Sequence, residues 1–266
     1  MVERKYQTYD EIKPLLDQQQ WIQNRHALTG HAQGRWIFDF IQQTSPDAWV
    51  CEIGAFYGFM TNIMGLACLG SDRRVISIDH MIGSFCTPMD QRPQCIYLDY
   101  IDGLIQQGVW NKIVPFPMKS YGEKDIEIDA NGRLAHKDII REYLQAYEML
   151  ETMNAKFELI YIDGNHQEEY VYQEICRFSK FLPVGGKICF DGAVPGKYIT
   201  VNEFWKKRYE LRDKMNLDPK LVPELHGQAR ALLRFFLDND QFKFLDVSFH
   251  NQGAFERIKE GNENDA

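Results

Sequence analysis

Four acidic side chains stand at the ends of short apolar runs. Glu52 closes Trp49-Val50-Cys51-Glu52, and Asp79 closes Val75-Ile76-Ser77-Ile78-Asp79. Asp163 ends Phe157-Glu158-Leu159-Ile160-Tyr161-Ile162-Asp163, and Asp191 ends Lys187-Ile188-Cys189-Phe190-Asp191. Any one of them alone could simply cap the helix that follows, because a carboxylate accepts the free N–H groups of a first turn. Four in succession point to a set gathered along one edge, since open parallel sheets bind ligands outside the carboxyl ends of their strands. His166 follows in Ile162-Asp163-Gly164-Asn165-His166. An imidazole that titrates near neutrality suits a general base, provided it reaches the proton it removes. The competing reading is a histidine that only packs or caps a helix start.

The first junction reads Glu52-Ile53-Gly54-Ala55-Phe56-Tyr57-Gly58. Gly54 permits a tight turn out of the strand and a close ligand approach, while Gly58 suits the entry into a helix. The spacing is not the G-x-G-x-x-G that cradles a diphosphate. Glu52 would also set a negative charge beside the place where a dinucleotide puts its pyrophosphate. That carboxylate suits a cationic ligand instead. Asp79, at the end of the second strand, is placed to accept hydrogen bonds from the two hydroxyls of a ribose. The ligand implied has a ribose and a positive charge but no diphosphate, a description that S-adenosylmethionine meets.

Four segments in order, Val50-Cys51-Glu52-Ile53-Gly54-Ala55-Phe56-Tyr57-Gly58-Phe59, Ile76-Ser77-Ile78-Asp79, Ile162-Asp163-Gly164-Asn165-His166 and Leu182-Pro183-Val184-Gly185-Gly186, resemble the successive motifs of class I S-adenosylmethionine-dependent methyltransferases. The first loop is similar to catechol-type O-methyltransferases. The Asp-Gly-x-His segment is similar to small-molecule and antibiotic-sugar O-methyltransferases, a group that includes cephalosporin-hydroxylase-like proteins. The resemblance runs from about Gly34 to Asp191. It implies that Glu52, Gly54 and the Ala55, Phe56 and Gly58 loop hold the methionine end of the cofactor. Asp79 would hold the ribose, His80 or Met81 one side of the adenine, and Ser120 another. Asp163 would lie where donor and acceptor meet, with His166 and Asp191 completing the catalytic set. Members that use Mg²⁺ bind it through the fourth-strand Asp and a polar pair ending the fifth strand. Here that pair is Asp191-Gly192, so a site of Asp163, Asp191, water and substrate is one ligand short of the pattern. The implied reaction is methylation of a small-molecule hydroxyl, in secondary metabolism. Two other classes stay open: a nicotinamide-dependent oxidoreductase on a related sheet, and a catalytically silent protein that binds the cofactor for a partner.

The elements that would position these residues alternate as short strands and amphipathic helices, the pattern of a parallel sheet covered on both faces. The expected fold is Rossmann-like α/β: a doubly wound, mostly parallel seven-stranded sheet with an antiparallel final strand. Residues 1–33 read as a helical extension and 34–258 as the main domain, with an insert at about 119–153 and a frayed tail at 259–266. Within the insert, Asn131-Gly132 predicts a hairpin turn between 126–129 and 133–136. This insert would form a substrate wall, a lid or a contact between two copies. Residues 231–236 and 242–249 read as the two edge strands.

The 266 residues carry 38 acidic and 30 basic side chains, a net charge of −8 that offers a nucleic acid or an anionic membrane no general attraction. The six cysteines include no C-x-x-C pair, and the charged N-terminus has no apolar stretch behind it, so the expectation is a cytoplasmic protein with reduced core thiols.

Overall fold

The computed structural model describes residues 5–18, 31–81, 96–120, 145–191, 201–217, 225, 227–246 and 253–260. The elements begin with α1 (Tyr9–Asp17), α2 (His31–Gln43), β1 (Trp49–Ile53), α3 (Phe59–Cys68), β2 (Arg74–Ile78), α4 (Tyr97–Gln106) and β3 (Ile113–Phe116). They continue with α5 (Ala146–Thr152), β4 (Leu159–Ile162), α6 (Glu168–Phe178), β5 (Lys187–Phe190), α7 (Val201–Lys206) and α8 (Arg208–Leu217). The chain closes with α9 (Gly227–Phe236), β6 (Phe242–Phe244) and β7 (Gly253–Arg257). No helix among the described residues is long and apolar enough to cross a membrane.

The strands form one seven-stranded sheet in the order β3-β2-β1-β4-β5-β7-β6. The first five run parallel, and β7 runs antiparallel to both of its neighbours. This is the sheet expected from the sequence. Successive strand residues face opposite sides, and both sides are apolar because both are covered. Val50, Val75, Leu159 and Tyr161 pack with Ile12 of α1, Phe38 of α2, Ile63 of α3 and Leu104 of α4. Cys51, Ile76, Ile160 and Ile188 pack with Leu150 of α5, Val171 and Ile175 of α6 and Leu232 of α9. Each such burial contributes roughly 1.5–3 kcal/mol before ordering costs.

One expected strand is a helix. Residues 231–236 belong to α9, where Ala231, Leu232 and Phe236 are buried while Arg234 is exposed. A short run such as Ala-Leu-Leu-Arg-Phe-Phe fits either period; the four-residue spacing from Leu232 to Phe236 and the helix-forming Ala, Leu and Arg decide it. The antiparallel partner that this reading lacked is β7, Gly253-Ala254-Phe255-Glu256-Arg257. Of 242–249, residues 242–244 form β6. The expected hairpin around Asn131-Gly132 lies outside the described residues. Helix α2 runs through the boundary expected between residues 33 and 34. Among the described residues Cys51, Cys68, Cys176 and Cys189 are free thiols; Cys51, Cys68 and Cys189 are buried and Cys176 is partly buried.

The order of the strands locates the site. From β1 the chain builds outward through β2 and β3, then returns to β4 on the other side of β1. The loops after β1 and β4 therefore diverge at a topological switch point, where open α/β sheets form their binding crevice.

Candidate functional site

The two loops at the switch point are locked together at the main chain. Gly54 N–H donates to Ile78 O at 2.8 Å, and Asp163 N–H donates to Ile53 O at 2.8 Å, so the ladder extends one step past each strand. Gly54 has φ +92° and no room for a side chain, since a Cβ would lie 2.2 Å from the carbonyl oxygen of Asp163. Ala55 is buried, and Gly58 directly precedes α3.

Asp79 ties the loop after β1 to the loop after β2. Its Oδ2 accepts the N–H of Phe56 at 2.8 Å and its Oδ1 accepts the N–H of Met81 at 2.6 Å. Both donors are non-glycine residues held at positive φ, +50° and +57°. Such conformations persist only where neighbours enforce them, and here one carboxylate holds both. His80 is exposed, with Nδ1 3.6 Å from Asp79 Oδ1. Met81 is buried in the core. A carboxylate oxygen accepts more than one hydrogen bond, so Asp79 retains capacity for a ligand hydroxyl.

Glu52 sits deeper than the loop mouth. Its side chain is 0% exposed. Oε2 accepts hydrogen bonds from Thr61 of α3 at 2.5 Å and from Ser77 of β2 at 2.7 Å, while Oε1 has no partner among the described residues. Burial pushes its carboxyl up to about 8; the two hydroxyl donors oppose this, and the charges of Asp79 and Asp163 add to it.

Ser120, beyond the end of β3, donates to Oε1 of Glu174 at 2.7 Å. Glu174 was missed in the sequence, although it interrupts the apolar face of α6 formed by Val171, Ile175 and Phe178, which is the signal that could have found it. Burial raises its carboxyl to about 7, opposed by the Ser120 hydroxyl and by His166. Its Oε2 is buried with no partner among the described residues.

The third group gathers at the ends of β4 and β5. His166 Nε2 lies 3.3 Å from Asp163 Oδ1, and the buried Tyr161 donates its hydroxyl to Asp163 Oδ2 at 3.4 Å. The hydrogen bond to Asp163 holds the imidazolium above its usual pKa; burial opposes it, and the charges of Asp163, Asp191 and Glu174 reinforce it. The main chain of this segment is braced by α9: a Cβ on Gly227 would fall 2.0 Å from the carbonyl oxygen of His166. Asp191 is buried at the end of β5, where its N–H donates to Ile162 O at 3.2 Å. Its Oδ1 accepts Nε2 of Gln33, from the first turn of α2, at 2.6 Å. Gln33 was also missed, because no local motif marks a contact made across most of the chain. Among the described residues, no three His, Cys, Asp or Glu side chains are grouped to hold an ion.

These features suit a cationic nucleoside. Gly54 sets its bare backbone against Asp163 and so fixes the loop mouth, Asp79 keeps acceptor capacity beside it, and Glu52 carries below it a buried oxygen with no partner among the described residues. The sequence pattern of a methyltransferase-domain family matches residues 51–193, more than half of the chain. The chain belongs to that family, and its fold is that of the class I methyltransferases. Three solved structures share the fold at low identity. An O-methyltransferase from Bacillus cereus in complex with S-adenosylhomocysteine is 13% identical, with a TM-score of 0.53 over 96% of this chain and 92% of that one. The O-methyltransferase TomG from Streptomyces achromogenes, in complex with S-adenosylmethionine and involved in tomaymycin synthesis, is 13% identical, with a TM-score of 0.52 over 97% and 92%. A caffeoyl-CoA O-methyltransferase assignment from Staphylococcus aureus is 11% identical, with a TM-score of 0.54 over 96% and 94%. No curated protein matches the chain.

Proposed function

We propose that this protein transfers the methyl group of S-adenosylmethionine to a hydroxyl oxygen of a small molecule. The carrying observation is the placement of the His166–Asp163 pair, 3.3 Å apart, on the loop whose backbone abuts Gly54. A proton acceptor and the cofactor cradle thereby share one wall. The bound cofactor supplies an activated methyl group and a leaving group. The chain supplies alignment, exclusion of water and removal of one proton.

Gly54 and the Ala55, Phe56 and Gly58 turn would receive the methionine end, with the buried carboxyl of Glu52 beneath it, whose ionised form a cationic cofactor would favour. Asp79 would accept the ribose hydroxyls beside His80 and Met81, and Ser120, braced by Glu174, would border the adenine. His166 takes the acceptor proton, Asp163 orients the ring and stabilises the imidazolium that results, and Asp191 lies alongside. The net charge of −8 supports a small-molecule acceptor over a nucleic acid.

The test is transfer of labelled methyl from S-adenosylmethionine to a panel of phenolic, catechol and sugar hydroxyls. His166→Ala should lose on the order of 100-fold or more in kcat while retaining S-adenosylhomocysteine binding. Transfer undiminished in that variant would remove His166 from the mechanism.

A further inference from the structure

The acceptor end of the site draws on the N-terminal helix. Gln33 lies in the first turn of α2, and that turn is fixed on three sides. His31 Nδ1 lies 2.8 Å from the hydroxyl of Tyr9, and its Nε2 lies 2.9 Å from Asp17. Next to Gln33, Gly34 packs so tightly that a Cβ would meet Ile63 at 2.4 Å and the Tyr9 hydroxyl at 3.0 Å. A side chain launched from so constrained a turn is preorganised, and its amide nitrogen reaches Asp191 Oδ1 at 2.6 Å.

Protein groups serve the neighbouring carboxylate as well, since Asp163 meets Tyr161 through Oδ2 and His166 through Oδ1. A hard divalent cation needs several oxygens turned toward it, and Mg²⁺ tolerates little departure from octahedral geometry. An N–H donor aimed at one of those oxygens places positive hydrogen where the ion would sit.

We propose that Gln33 is a positioning residue that holds Asp191 by its amide N–H and closes the Asp163–Asp191 pair to divalent cations, so that helix α2 takes the place of a metal at the acceptor end. This rests on the methyltransferase reading for what the pair does, but not for whether it binds an ion. The arrangement also accords with Gly192 standing where the metal-using pattern has a second polar ligand. The closed pair presents a carboxylate of fixed direction to the acceptor.

The experiment titrates the full-length protein, saturated with S-adenosylhomocysteine, with Mn²⁺ and follows water-proton relaxation. Calorimetry with S-adenosylhomocysteine on the same samples reports the cofactor site independently. The wild-type protein is expected to show no site tighter than about 1 mM, a level at which weak carboxylate clusters bind. Gln33→Glu replaces the donor by a third carboxylate and is expected to bind Mn²⁺ at least about tenfold more tightly. If that variant fails to bind S-adenosylhomocysteine, Gln33→Asp, with its shorter reach, is read in its place. Sub-millimolar Mn²⁺ binding by the wild-type protein overturns the proposal, and so does unchanged weak binding in the carboxylate variant that retains the cofactor site. Loss of S-adenosylhomocysteine binding by the wild-type protein would instead count against the methyltransferase reading.

Discussion

Gly54 and Asp163 meet at the main chain: the Cα of one faces the carbonyl of the other so closely that a Cβ on Gly54 would lie 2.2 Å from that oxygen. The contact joins the loop after β1 to the loop after β4, and it ties the proposed cofactor loop to the His166 segment. Gly54→Ala must therefore separate the loops as well as strain φ at +92°. The expected result is a loss of about 2 kcal/mol or more in denaturant unfolding, with S-adenosylhomocysteine affinity lowered at least about tenfold. Unchanged values in both measurements would show that the loops are not coupled there.

Asp79 holds Phe56 and Met81 through two charge-assisted hydrogen bonds, each worth roughly 1.5–3 kcal/mol. Asp79→Ala should weaken S-adenosylhomocysteine binding by on the order of 100-fold, about 2.7 kcal/mol. Asp79→Asn should fall between, because an amide accepts from one loop and presents a donor to the other. Calorimetric titration of the three proteins checks the order.

Glu52 links stability to pH. Its carboxyl is raised from 4.5 to about 8, so between these values the unfolded chain has released a proton that the folded chain retains. The stabilisation is present in full below about 4.5 and is lost as pH rises through about 8, at up to about 1.4 kcal/mol per pH unit. Glu174, raised to about 7, adds in the same direction over a narrower window. Glu52→Gln keeps an acceptor for Thr61 and Ser77 and removes the titration. Unfolding at pH 5 and pH 8 should therefore show the variant gaining relative to wild type at the higher pH, while it binds S-adenosylhomocysteine less well. A constant difference between the two proteins across that range would count against a buried ionisation at Glu52.

His166 has a pH dependence of the same sign, from a partner rather than from burial. The hydrogen bond to Asp163 holds its pKa above 6.5. The stability the pair contributes is complete below about 6.5 and fades as pH rises through the raised value. Asp163→Asn should bring the imidazole titration, followed by proton NMR, back down toward 6.5, and move the acid limb of kcat/KM the same way while lowering kcat. An unmoved titration would show that Asp163 does not govern the ring.

The sheet could be read from the sequence because its strands are buried on both faces and end in acids and glycines. Trp49–Ile53, Arg74–Ile78 and Leu159–Ile162 stand out as apolar runs in which each switch of periodicity marks a loop. The site loops came with them, since a strand end fixes where the next residues lie. What could not be read depends on distance or depth. Gln33 reaches Asp191 only once the sheet brings α2 over β5. Glu52 occupies the expected strand end, but its direction is set by the pleat, which turns it under α3 toward Thr61 and Ser77. The run 231–236 was ambiguous because six apolar-rich residues satisfy both periods, and packing of α9 against α6 settles the choice in favour of helix.

The central claim is that the crevice bounded by Gly54 and Asp79 binds an adenosyl cofactor without a diphosphate. Parallel calorimetric titrations of the full-length protein with S-adenosylhomocysteine and with NADH test it most directly. The account predicts saturable one-to-one binding of S-adenosylhomocysteine that Asp79→Ala weakens, and no heat of binding with NADH. Saturable binding of NADH with none of S-adenosylhomocysteine would contradict it.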